Sequence, residues 1–146
     1  MMNKRLAYRL MGIGGIVELL IALLHFVWPF ELVETGEFAD LTGHYSDLLF
    51  LSSVSIGLCL LVFGILSIYF SRMLRSGEKT ALVYSASQSI LWGGRAIGEL
   101  FFHVSIPMYV IENPTMFVLP LSLLLCLVFL SPLLLWKASG KGKHVS

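Results

Sequence analysis

The chain reads as an all-α integral membrane protein, a four-transmembrane-helix antiparallel bundle with both termini on the cytoplasmic side. Three observations carry that reading. Of 146 residues, 57% are apolar and 13% charged, and the mean hydropathy is +0.85; a soluble domain carries about a quarter charged residues. A soluble fold of this size has too little interior to hide the surplus of Leu, Ile, Val and Phe. Four runs also reach the roughly 20 apolar residues needed to cross the hydrocarbon core. Finally, the basic residues form clusters that all fall on one side of a four-span protein. Disorder requires low hydrophobicity, a disulfide-stapled module more than two cysteines, and a nucleic-acid binder a basic surface, so these classes drop out. Membrane β-barrels alternate apolar and polar residues, and these runs do not.

The first run, 10–30, follows Lys4, Arg5 and Arg9 and contains Glu18 and His25. Its length, the embedded Glu18 and the lack of a small-x-small cleavage site mark a retained span rather than a signal peptide. The second run, 48–70, and the fourth, 115–136, hold no ionisable side chain beyond Cys59 and Cys126, which read as buried, inert thiols. The third, 80–106, holds Arg95, Glu99 and His103. Arg72, Arg75 and Lys79 join the second and third runs, and Lys137, Lys141 and Lys143 follow the fourth. The opposite loops contain Glu31, Glu34, Glu37, Asp40 and Glu112 without Lys or Arg. That asymmetry places both termini inside, in a plasma or inner membrane. The whole of 1–146 forms one membrane domain ending in a basic tail, 137–146. Asn113-Pro114-Thr115 reads as the start of the fourth helix, and Pro120 and Pro132 bend it. Trp28 and Trp136, near span ends, read as interfacial anchors.

Helix 3 carries a polar stripe. At about 100° per residue, Ser85, Gln88, Trp92, Arg95 and His103 all lie within about 40° of Glu99. Such a face has to point into the bundle or a wet cavity, because each ionisable group at mid-membrane costs about 2.5–3.5 kcal/mol. Arg95 and Glu99, four apart, can pair along the helix, and Glu18 on helix 1 is an alternative partner for Arg95. Two readings stand: an ion network that fixes helix orientation, or a site in which Arg95 orients a carboxylate or a substrate anion. The second makes Glu18, Arg95 and Glu99 the candidate catalytic residues.

On helix 1, Gly14, Glu18, Ala22, His25 and Pro29 recur at spacings of one helical turn and share a small, polar face suited to close contact. Helix 2 starts on the outer side with His44 and Asp47, and Ser46, Ser53, Gly57 and Gly64 form a small-residue strip on its other side. His25, His44 and His103 thus gather in the outer half from three helices. With Asp47 and Glu99 they compose a candidate metal shell for Zn, Fe or Cu. Alternatively, His25 and His103 could be axial ligands of one haem, or could transfer protons without a metal.

Helices 1 and 3 share an order: Gly14-Gly15, Glu18-Leu19, His25-x-x-x-Pro29 against Gly93-Gly94, Glu99-Leu100, His103-x-x-x-Pro107. A duplicated two-helix unit would set Glu18 opposite Glu99 and His25 opposite His103. The end of helix 1, His25-Phe26-Val27-Trp28-Pro29, resembles the His-Phe-x-x-Pro end of the first helix in DoxX-like proteins. The resemblance implies a small four-helix bacterial membrane protein, of a group in part linked to quinone or redox chemistry. The second-helix glycine and glutamate pattern of that family is replaced here by Ser53, Ser55, Gly57 and Gly64, and no site residue is carried over.

No phosphate loop, nucleophile elbow or dinucleotide fingerprint occurs. The expected function is therefore an intramembrane polar site in the outer half, binding a metal ion or haem and acting in redox chemistry on a lipophilic substrate. The alternatives are metal-free Glu/His acid–base chemistry on a lipid, or a transporter or partner subunit with a polar path along helix 3. The expected partners are the lipid bilayer, a lipophilic small molecule, and a second copy or larger membrane complex, with no nucleic acid.

Overall fold

Long apolar runs satisfy their amide groups internally by forming helices. A computed structural model describes the backbone of residues 2–34, 43–102 and 114–141 and the side chains of 4–30, 45–102 and 114–137. The described residues form four helices: α1 (Met2–Glu34), α2 (Gly43–Ser76), α3 (Thr80–Phe101) and α4 (Thr115–Lys141). α1 packs on α2 and α4, and α3 packs on α4 and, less extensively, on α2. The helices therefore follow one another around a ring, with α1 and α3 on one diagonal.

α1, α2 and α4 each contain a stretch long and apolar enough to cross a membrane, namely Lys4–Phe30, Tyr45–Ser76 and Thr115–Lys137. Among the described residues α3 does not, because the polar stripe lowers its hydropathy. The outward surface is largely apolar: Leu20, Leu51, Ile65 and Leu127 are each more than half exposed, a larger apolar area than soluble monomers ordinarily show.

The helices outrun the apolar segments. α1 and α2 continue through Lys4, Arg5, Arg72 and Arg75, because Lys and Arg are good helix formers once they reach a polar environment. α3 is shorter than expected. It ends at Phe101, where Phe102 leaves the helical region (φ −128°, ψ 85°); the expected remainder, 103–106, lies outside the described residues.

Specific residues make this packing possible. A Cβ on Gly64 would stand 2.8 Å from the Gly15 carbonyl oxygen, and one on Gly15 would stand 2.8 Å from that of Gly64. The two glycines thus let the backbones of α1 and α2 touch. Gly77, at φ 98°, closes α2 with paired bonds from Gly77 N to Leu74 O (3.1 Å) and Glu78 N to Met73 O (3.0 Å). This is a Schellman end, and it needs the left-handed conformation that glycine adopts freely. Pro29 in α1 and Pro132 in α4 each leave a carbonyl without a helical donor four residues earlier, and a serine fills each gap. Ser53 Oγ donates to the His25 carbonyl at 2.9 Å, below Pro29. Ser131 Oγ donates to the Val128 carbonyl at 2.8 Å, below Pro132.

Candidate functional site

Two polar regions lie inside the ring. The first is a central knot around Glu18. The helix 1 face expected from the spacing is buried at Gly14, Glu18, Ala22 and Pro29, and His25 is half-buried. Glu18 is 0% exposed. It accepts a hydrogen bond from Ser67 Oγ of α2 at 2.8 Å and another from Trp92 Nε1 of α3 at 2.9 Å. Ser67 Oγ also lies 3.1 Å from the Tyr84 hydroxyl, which donates to the Phe63 carbonyl at 2.7 Å and accepts from Gln88 Nε2 at 2.9 Å. The Tyr84 ring stacks on Phe70 with centroids 4.5 Å apart. Ser85 and Ser89 tie the stripe to carbonyls of α4, at Phe129 (2.5 Å) and Cys126 (3.2 Å). The stripe thus faces inward: Ser85, Gln88, Trp92 and Glu99 are all buried.

The second region is a cavity of about 470 Å³ in the half of the bundle remote from the N-terminus, bordered by all four helices. Its walls are mainly Leu and Ile, interrupted by His25, Trp28, Ser52, Ser53, Trp92, Arg95 and Ser122. The Trp28 indole nitrogen is buried and has no hydrogen-bond partner among the described residues, although a buried N–H nearly always has one. Trp28 is therefore more than the interfacial anchor its position in the sequence indicated. His25 Nδ1 lies 2.9 Å from the Ile21 carbonyl. A carbonyl only accepts, so Nδ1 carries the proton and Nε2 of the neutral ring is the basic nitrogen. Arg95 forms an ion pair with Glu99, Nη1 to Oε2 at 2.6 Å, and keeps 41% of its side chain exposed. Glu99 also accepts from Thr115 Oγ1 at 2.7 Å, which fixes the start of α4 against the end of α3.

The residues singled out from sequence divide accordingly. Arg95 pairs with Glu99 on its own helix, and Glu18 is bound by neutral donors instead. Trp92, not Glu99, sits across from Glu18, so the symmetry expected of a duplicated unit is absent. Its glycine pairs differ as well, since a Cβ on Gly15 would stand 2.8 Å from the Gly64 carbonyl oxygen whereas one on its counterpart Gly94 would meet nothing within 4 Å. The cavity brings His25 and Arg95 to one space. Asp47 is exposed on α2. The side chain of His44 and all of His103 lie outside the described residues, and among those described no three His, Cys, Asp or Glu come together as a metal shell. Cys126 is partly buried as expected, but Cys59 is exposed on the apolar outer surface.

Sequence reasoning missed Ser67, Tyr84 and Trp28. For Ser67 a signal existed: extending the helix 2 strip from Gly64 by three and then four residues reaches Ser67 and Ser71, on the same face. Tyr84 and Trp28 had none, because aromatic residues at helix ends ordinarily anchor to an interface. Comparison of the chain with known protein families, curated proteins and solved structures finds no match in any of the three.

Proposed function

We propose that the chain is an integral membrane protein with four spans and both termini cytoplasmic, in a plasma or inner membrane. In this reading the outer cavity binds a lipophilic molecule whose head group carries carbonyl or hydroxyl oxygens, of the quinone class. The observation that carries the proposal is the buried, unpartnered Trp28 indole N–H on an otherwise apolar cavity. Pockets for such ligands are mostly apolar, with a few placed polar groups that fix orientation. Here the Trp28 N–H and the Arg95 guanidinium donate to a carbonyl, and His25 Nε2 accepts from a hydroxyl, so oxidised and reduced head groups both find partners. The DoxX-like ending of helix 1 points to the same class. α3 spans because its polar face is turned inward, leaving apolar residues such as Ile90 and Ile97 outward.

Titration of the purified protein with a short-chain benzoquinone, followed by tryptophan fluorescence, tests this. Saturable quenching is expected, weakened about tenfold in Trp28→Phe and in Arg95→Gln and unchanged in Trp136→Phe. Quenching that does not saturate, or that ignores Trp28→Phe, overturns the assignment. Redox catalysis would add a metal ion or haem. The tautomer of His25 favours that step, because Nδ1 bonded to a carbonyl presents Nε2 as a ligand. Metal analysis and an absorption spectrum decide it: stoichiometric metal or a Soret band, lost in His25→Ala, is the supporting result, and colourless, metal-free protein reduces the cavity to a binding site.

A further inference from the structure

At the end of the bundle remote from that cavity, the first turns of α1 and the turn between α2 and α3 enclose a cleft of about 610 Å³. Lys4, Arg5, Arg9 and Arg75 line it together with Tyr8 and Gly77, and no carboxylate does. The only ion pair among the described residues is Arg95–Glu99, so these four cations have no acidic partner there. Two of them rest on aromatic rings instead: Lys4 Nζ lies 4.2 Å from the Trp136 ring centre and Arg75 lies 5.8 Å from that of Tyr8. Such contacts hold a cation in place and leave its hydrogen-bond donors free. Basic residues that served only to orient the spans would be spread over the solvated rim, whereas these converge on one concave space.

We infer that this cleft holds the phosphate of an anionic phospholipid. Arginine offers paired donors that match phosphate oxygens. A path for acyl chains leaves the cleft along α1, where Ile13, Ile16 and Leu20 follow Arg9 at helical spacing and are 52%, 54% and 56% exposed. The apolar stripe favours a lipid over free phosphate, which would have no use for it.

Native mass spectrometry of the full chain in detergent, where membrane orientation plays no part, tests the assignment with phosphatidylglycerol, phosphatidylcholine of the same chains, and inorganic phosphate. Phosphatidylglycerol is expected to bind at about tenfold lower concentration than phosphatidylcholine. The double variant Arg9→Gln/Arg75→Gln should bind it about thirty-fold more weakly, at roughly fivefold per basic residue. Lys79→Gln, which removes a charge from the same end but outside the cleft, should change nothing. Equal binding of the two lipids in the unaltered protein overturns the proposal without any variant. So does a Lys79→Gln loss equal to that of Arg75→Gln, which would mean diffuse attraction, or displacement of the lipid by phosphate at matching concentration, which would mean a free-anion site.

Discussion

From Gly14 to Glu18, α1 meets its neighbours with backbone against backbone and a carboxyl enclosed by donors; from Ile21 to Trp28 the same helix borders a cavity of about 470 Å³. The inner stretch is filled by Phe129, Leu125, Met11 and Ala7, all nearly or fully buried. The outer stretch leaves a buried indole N–H without a partner. Each region leaves one buried polar atom without a partner among the described residues, Gln88 Oε1 in the knot and Trp28 Nε1 at the cavity, and they differ in how their carboxylates are held. Glu18 is answered by Ser67 and Trp92 from two other helices, so it knits the ring together. Among the described residues Glu99 is answered by Arg95 of its own helix and by the first residue of α4, so it pins the junction of α3 and α4. One stretch of α1 is thus packed backbone against backbone and the next borders an open cavity.

The sharpest way to break that contrast is Glu18→Ala, which strands the Trp92 N–H and leaves a void. A loss of about 3 kcal/mol in reversible unfolding in mixed micelles is expected. Glu18→Gln keeps an acceptor for Trp92 and should stay within about 1 kcal/mol of the unaltered protein. If both variants lose equally, the carboxyl does more than accept hydrogen bonds. Next comes Gly64→Ala, whose methyl would press on the Gly15 carbonyl and on Leu19; about 2 kcal/mol is expected on the same scale. The smallest effect, of opposite sign, belongs to Gly94→Ala: its methyl meets nothing, and removing a helical glycine should stabilise by about 0.5 kcal/mol. Gly64 and Gly94 read alike in sequence, so their separation in one melting series tests the packing directly.

How much was legible depended on what each feature requires. Apolar runs and inward faces depend on spacing along one helix, so the Gly14–Glu18–Ala22 face and the α3 stripe could be read from periodicity. Partners across helices depend on rotation and height between separate segments, which spacing does not encode. That is why Glu18 was offered to Arg95 when Trp92 and Ser67 hold it. The helix ends differ from the span ends for a related reason: apolarity marks where a chain meets hydrocarbon, while the helix itself continues into Arg72 and Arg75. Trp28 looked like an anchor because its position says where it lies, not which way its N–H finds company. Of the expected metal shell, His25 alone among the described residues shares the cavity with Arg95, and the His44 side chain and His103 lie outside the described residues.

The two bonds on Glu18 also set an order of events. A chain made from its N-terminus produces α1 and α2 first, and Ser67 then reaches one carboxyl oxygen. The other oxygen waits for Trp92, and the surface of Gly14 waits for Phe129, the last of these to emerge. A truncated or stalled product therefore presents a half-bonded carboxyl and a bare glycine notch to its surroundings. Both are covered only when α3 and α4 are in place, so closure around Glu18 and Gly14 draws on all four helices.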